Sequence, residues 1–173
     1  LLAKTYFVSH DMKVVITRMF SYLNPRRDDL FASAFAKQVA RIELGLQNTL
    51  YHGNLESVRT IIDVRDGMRA YWDAAIFCEY GEAYNIGGTT KMKVGEFLER
   101  LISLSDTPIK TEINKSLLRP ADVTLQIPDT SKFKAATGFE TIHTFEESMQ
   151  NLLSYWRSKA QEEFILKPEN SKS

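Results

Sequence analysis

Eleven residues a third of the way along the chain, Val58-Arg59-Thr60-Ile61-Ile62-Asp63-Val64-Arg65-Asp66-Gly67-Met68, constrain everything around them. A strand-like run, Leu50 to Asn54, comes before, and a helical run through Tyr71 and Trp72 comes after. Asp63 is placed to cap that helix. Asp66, three positions on, can answer it in a capping box made of carboxylates. Gly53-Asn54 is a turn signal, so the arms on either side are expected to pair or lie close together. Read this way, the stretch presents Arg59 from a turn locked against a helix start. A planar guanidinium so held suits a phosphate, whereas an isolated loop arginine is ordinarily a solvated surface residue.

The flanking chain alternates helical and strand-like runs. Leu1 to Val8 reads as the last turns of a helix whose beginning is missing, which suggests a piece of a longer protein. Val14 to Met19 is a short β-branched run with little alternation, as expected of a strand buried on both faces of a parallel sheet. Phe31, Phe35, Val39, Ile42 and Leu46 recur at helical spacing over 30–46, with Ser33, Lys37, Gln38 and Arg41 on the other sides. Gly45 or Gln47-Asn48 ends that helix. Val64, Met68, Tyr71, Trp72, Ala75 and Ile76 form the next apolar stripe, broken by Gly81. A second short strand spans 83–86, and Val94, Phe97, Leu98, Leu101 and Ile102 mark another helix. Ile109 to Ile113 alternates like a half-exposed strand. A short helix over 131–137 stops at Gly138. Thr144 with Glu147 forms a capping box for the final helix, whose stripe is Phe145, Met149, Leu152, Leu153 and Trp156. Residues 167–173 are polar and expected to be disordered. A helix, a turn and a buried strand make the rhythm of an α/β chain.

Composition excludes some classes of function. Lys plus Arg equals Asp plus Glu, 22 each, so no net field points to nucleic acid or a membrane surface. No apolar run approaches a membrane span, and no signal peptide opens the chain. Cys78 stands alone, so no intrachain disulfide is possible and a reducing cytoplasm fits. Its place on a helix reads as core. His10, His52 and His143 have no carboxylate or Cys at ligand spacing, so no metal site is expected.

Six short segments, in order, carry a family likeness: Thr17-Arg18-Met19-Phe20, Pro25-Arg26-Arg27, Gly53 to Arg59, Asp63-Val64-Arg65-Asp66, Tyr84-Asn85-Ile86-Gly87-Gly88, and Leu118-Arg119-Pro120-Ala121-Asp122-Val123. Over residues 1–157 the chain resembles the C-terminal half of extended short-chain dehydrogenase/reductases acting on nucleotide sugars. Within these it is most similar to GDP-mannose 4,6-dehydratases and GDP-4-keto-6-deoxymannose reductases. The likeness implies an α/β fold: the C-terminal part of a Rossmann-type parallel sheet plus a small mixed α/β substrate-binding domain. The division expected is 1–29 for a helix end, sheet strand and substrate loop, 30–157 for the substrate-binding region with a further sheet strand near 83–87, and 158–173 for a helix end and tail.

The likeness also implies chemistry. In a complete dehydratase NADP (or NAD) takes a hydride from the sugar C4, water leaves across C5 and C6, and the hydride returns at C6; a reductase instead delivers hydride to a C4 ketone. The Gly-rich nucleotide loop, the catalytic Ser or Thr and the Tyr-x-x-x-Lys pair of such enzymes are not in these 173 residues. Tyr6 cannot stand in, because residue 10 is His. No catalytic residue is therefore assigned, and the chain alone is expected to be inactive. The implied substrate-binding residues are Arg59 on the diphosphate, and Arg119 with Asp122 on the nucleotide. Ser21 replaces the family's Asn in the sugar-phosphate loop, and Arg26, Arg27, Ser33 and Lys37 are further candidates. The implied partners are a GDP-mannose-like nucleotide sugar and either a second copy or a complementary Rossmann fragment, because strand 14–19 would otherwise leave an open edge. Two departures stand out: Ser21-Tyr22 where the family has Asn-His, and Thr60-Ile61 where it has Asp and an aromatic ring. The rival reading is a non-catalytic nucleotide-sugar-binding or scaffold module. An unrelated α/β chain would instead place Arg59 and Arg119 far apart.

Overall fold

The computed structural model describes residues 2–118 and 123–166. It divides into two compact units, one made of Leu1–Tyr22, Arg59–Lys91 and Gln126–Phe145, the other of Leu23–Val58, Met92–Leu125 and Glu146–Ser173. The chain passes between them five times, inside the short strands β2 (Tyr22–Leu23), β4 (Val58–Asp63), β6 (Thr90–Lys93) and β8 (Leu125–Gln126) and at the start of the last helix, between Phe145 and Glu146.

In the first unit β1 (Ile16–Met19) pairs in parallel with β5 (Ala83–Ile86), with Ile16 opposite Ala83 and Met19 opposite Ile86. The expectation for β1 was a longer strand, 14–19, buried on both faces. It begins at Ile16 instead; three of its side chains are half-buried and Arg18 is exposed. Helices α3 (Val64–Phe77) and α5 (Ser131–Thr137) pack on this pair. Ile62, Ala70, Ala74, Cys78, Tyr84, Ile86, Phe133 and Phe139 close the core between them. Cys78, expected on the helix, lies just past it as the extended C-cap residue of α3; it is buried, as expected, and burial pushes its thiol up.

The start of α3 follows the sequence in one respect and departs from it in two. Asp63 caps the helix, its Oδ1 accepting the Arg65 N–H at 2.8 Å. Asp66 does not turn back to complete a capping box. Its carboxylate is 1% exposed and accepts backbone N–H groups from Ile142 and His143. The apolar stripe is also reversed. Asp66, Gly67, Ala70 and Ala74 face inward, while Met68, Tyr71, Trp72, Ala75 and Ile76 face out, Trp72 being 69% exposed. Both stripes recur at helical spacing, so periodicity alone cannot choose between them. Close approach to β1 selects the small residues: a Cβ on Gly67 would lie 3.4 Å from the Met19 Cε.

Val58 to Asp63 was expected to enter a helix from a turn and forms strand β4 instead. Val58, Thr60, Ile61 and Ile62 are β-branched, which favours a pleated, buried surface. The 58 arm does not pair with β3 (Thr49–His52). That strand pairs in parallel with β7 (Lys110–Ile113) in the second unit, with Leu50 opposite Thr111. Gly53-Asn54 still turns the chain, with Asn54 Oδ1 accepting the Glu56 N–H at 2.9 Å. All four β7 side chains are exposed, against the half-exposed expectation.

In the same unit α2 (Phe31–Glu43) packs against β3 and α4 (Val94–Ile102), with Phe31 edge-on to Phe97 at 5.3 Å between ring centroids. Gly45, at φ 68°, lets the chain leave α2, and Gly138, at φ 65°, does the same for α5; both stops match the sequence. The long helix α6 (Phe145–Leu166) begins directly after Thr144 and buries Met149, Leu152 and Leu153. Residues 167–173, expected to form a disordered tail, lie outside the described residues. Among the described residues no helix is long and apolar enough to cross a membrane.

Candidate functional site

The first unit holds two of the implied contacts. Ser21 lies just past the carboxyl end of β1, where its carbonyl accepts the Ile62 N–H at 3.2 Å. Next to it the Phe20 N–H donates to the Ile86 carbonyl at 2.8 Å, so residues 20 and 21 are fixed beside the ends of both parallel strands. Crevices at the carboxyl ends of parallel strands are where open α/β sheets bind ligands. Arg59 is half-buried on β4, a regular strand rather than the turn expected for it. Its neighbour Thr60 is buried, and the hydroxyl has no partner among the described residues. Gly88 follows closely: a Cβ there would lie 1.7 Å from the Ile61 carbonyl oxygen, so only glycine lets the two backbones meet.

The second unit gathers Arg26, Arg27, Ser33 and Lys37 around the entry to α2. Asn24 organises the loop. Its Oδ1 accepts the Arg26 N–H at 3.0 Å, and its carbonyl accepts the Arg27 N–H at 3.1 Å and the Ser33 hydroxyl at 2.5 Å. Ser33 was expected on the side of α2 away from the apolar stripe. It is fully buried, its hydroxyl already committed to that carbonyl. Arg27 forms a two-pronged pair with Asp29, both bonds at 2.7 Å, which holds the Asp29 carboxyl below the usual range. Lys37 pairs with Asp28 at 2.8 Å and lies 5.3 Å over the Trp156 ring. Arg26 is exposed, and among the described residues its side chain makes no hydrogen bond. Leu30 at the helix entry has no side-chain oxygen and so supplies no cap to α2. Arg119 and Asp122 lie outside the described residues.

A third polar cluster was not foreseen as such. Asp66 accepts the Ile142 N–H at 3.1 Å and the His143 N–H at 3.0 Å, and the Arg69 Nη2 reaches it at 3.2 Å. His143 Nδ1 lies 3.3 Å away. Arg69 also donates to the Glu140 carbonyl and stacks 4.4 Å over the Phe139 ring. Burial raises the Asp66 carboxyl, but the N–H groups of His143 and Ile142 together with Arg69 outweigh it and hold the group below its ordinary value. The cluster fastens the segment after α5 onto α3. The only sequence signal was an acid three residues after a cap, which also fits a capping box. Among the described residues no group of three His, Cys, Asp or Glu side chains could hold a metal ion.

A parallel pair covered by helices, with a fixed loop at its carboxyl ends, defines a Rossmann-like α/β protein. The model of the family described as GDP-mannose 4,6 dehydratase matches residues 1–152, and the chain belongs to that family. GDP-6-deoxy-D-mannose reductase of Pseudomonas aeruginosa is 27% identical over 158 residues, which cover 90% of this chain and 52% of the reductase. The structure of RMD from Pseudomonas aeruginosa complexed with NADPH superposes with a TM-score of 0.82 at 26% identity, over 91% of this chain and 53% of that one. The dTDP-glucose 4,6-dehydratase DesIV from Streptomyces venezuelae, with NAD and TYD bound, shares the fold with a TM-score of 0.76 at 19% identity, over 92% of this chain and 48% of that one. The chain thus spans about half the length of the curated relatives it matches.

The described residues do not fit a dinucleotide's main site. Such a site needs a strand, a glycine-rich turn and a helix N-terminus at the pyrophosphate. Gly87-Gly88 does follow strand β5, but it leads into strand β6 rather than a helix.

Proposed function

We propose that this chain is the substrate-binding half of an NAD(P)-dependent enzyme acting on a GDP-mannose-like nucleotide sugar. It would hold the nucleotide diphosphate and orient the hexose. Family membership across residues 1–152 carries the reading. We assign Arg59 to the diphosphate, with Ser21, Arg119 and Asp122 as the further contacts the family likeness implies. The entry to α2 adds a weaker ground: Arg26 is exposed in the loop that leads into α2, and Leu30 at the N-cap supplies no side-chain cap. Arg27 and Lys37 are weaker assignments because each is already paired with an aspartate, and Ser33 is weaker because its hydroxyl is spent within the loop. Positioning of this kind can supply a large part of a rate enhancement, but a hydride cofactor and an acid/base pair must come from elsewhere. The chain alone is therefore inactive in this reading. It works in the cytoplasm, as an oligomer or with a complementary Rossmann half that holds NADP or NAD.

Dehydratase chemistry, a lyase reaction, is our first assignment. Reductase chemistry is the second, and the similarity to GDP-6-deoxy-D-mannose reductase favours it. Calorimetric titration with GDP and GDP-mannose tests the common part. Both are expected to bind, and Arg59→Ala to weaken each about tenfold, the worth of one lost charge-assisted phosphate contact. No heat with either ligand, or an unchanged Arg59→Ala, would refute the assignment.

A further inference from the structure

The first unit contains a cavity of about 630 Å3 that plays no part in the reading above. Helix α1 (Leu2–His10) forms one wall with Lys4, Thr5, Val8 and Ser9, residues spaced so as to share a helix face. The floor is the parallel pair: Ile16 and Arg18 from β1, and Gly81, Glu82 and Ala83 at the start of β5. Lys132 of α5 closes the rim. The corner is built into the fold. Gly81 sits at φ 80°, and a Cβ there would come within 2.3 Å of the Phe7 ring, so glycine alone lets α1 dock here. The Gly81 N–H donates to the Val14 carbonyl at 2.6 Å, and the Ile16 N–H to the Glu82 carbonyl at 2.9 Å, which fixes the floor.

Charge in this cavity is unbalanced. Lys132 pairs with Glu82 at 2.6 Å. The Glu82 carboxyl is held below its usual range, first by that bond and also by Lys4. Of the three cations on the walls, Lys132 is spent on Glu82. The Arg18 side chain has no hydrogen-bond or ion-pair partner among the described residues, and Lys4 only acts on Glu82 through space. The guanidinium of Arg18 is a fork without a carboxylate, facing a space that the Ser9 hydroxyl also borders. Val8, Ile16 and Ala83 supply apolar wall. The volume lies within the roughly 300–1,000 Å3 of small-molecule sites, far more than a phosphate ion needs.

We propose that this cavity is a second ligand site, which binds an organic monophosphate. Arg18 and Lys4 take the phosphate, and the Val8, Ile16 and Ala83 wall takes the body of the molecule. The site uses residues other than those assigned to the nucleotide sugar.

The test is a protein-observed NMR titration of the full chain with mannose 1-phosphate, with mannose and inorganic phosphate as controls. Saturable shifts are expected at Thr5, Ser9 and Ala83. Inorganic phosphate should bind about tenfold more weakly, and mannose not measurably. Arg18→Ala should weaken mannose 1-phosphate about tenfold, and Arg18→Ala with Lys4→Ala should abolish binding. Both residues are exposed, so folding is not at stake. Arg59→Ala should leave this titration unchanged while it weakens GDP. No saturation by about 1 mM, or an Arg18→Ala affinity equal to wild type, overturns the site. So does a loss with Arg59→Ala that Arg18→Ala does not share. GDP binding decides the other reading separately.

Discussion

Asp66→Asn is the substitution that most directly tests how the first unit is held together. The change is nearly isosteric, at a carboxylate that is 1% exposed. Three donors converge on it: the backbone N–H groups of Ile142 and His143 and the Arg69 guanidinium. An asparagine keeps one acceptor oxygen. It turns an NH2 toward donors that cannot accept from it, and it leaves Arg69 beside a neutral group. A hydrogen bond to a charged group contributes roughly 1.5–3 kcal/mol, and breaking one side of a buried ionic cluster costs roughly 3–5 kcal/mol. A loss of about 3–5 kcal/mol is therefore expected. At about 2–4 °C per kcal/mol for a chain of this size, Tm should fall by roughly 6–20 °C.

The acid limb gives a second readout. The folded carboxyl is held below its ordinary value. Its contribution is thus complete at pH values above the unfolded carboxyl's titration, and it is lost as pH falls through the lower, folded value. In Asp66→Asn that part of the acid destabilisation should disappear. Circular dichroism melts from pH 7 downward measure both effects, and hydrogen exchange at the Ile142 and His143 amides should accelerate. A variant that melts within about 1 °C of wild type, with an unchanged acid limb, would show that the cluster contributes nothing.

The remaining expectations concern packing and the α2 entry. Gly88→Ala forces a Cβ to within 1.7 Å of a backbone oxygen that cannot move alone, so a loss of about 3 kcal/mol or more, or failure to express as folded protein, should appear in denaturant titration. Trp72→Ser on the outward face should change stability by no more than about 0.5 kcal/mol, whereas Ala70→Leu on the inward face should cost about 1–3 kcal/mol. Equal effects would restore the apolar stripe expected from periodicity. Ser33→Ala should cost about 1 kcal/mol by leaving the Asn24 carbonyl short of a donor, with GDP affinity unchanged; a loss of affinity without a loss of stability would mean the hydroxyl serves the ligand.

Local rules carried part of the fold, and long-range contacts decided the rest. Asp63, Gly45 and Gly138 act through their own backbone surroundings, and each does what its residue type suggests. The inward face of α3 could not be read, because two interleaved sets of residues share one period and only the closeness of β1 tells small from large. Strand β4 was hidden by the same excess of meaning. Val58 to Asp63 is β-branched and also runs straight into a cap, so its last residue ends a strand and begins a helix. The candidate contacts were named from family likeness, and residue type alone could not rank them. Ser33 and Lys37 look alike on a helical projection. Yet one is buried on a carbonyl nine positions earlier and the other rests on an aspartate and a tryptophan.

The way the chain divides between its units bears on how it is made. The first unit is assembled from three separated stretches, the last of them 126–145, and the second from three more that interleave with these. A ribosome delivering the chain from its start cannot release a finished first unit until most of the sequence has been synthesised, so neither unit folds as an early, independent domain. Pairings such as β1 with β5, 67 residues apart at Ile16 and Ala83, must close long loops first, which slows folding. For the same reason no single proteolytic cut can divide this protein into two intact units.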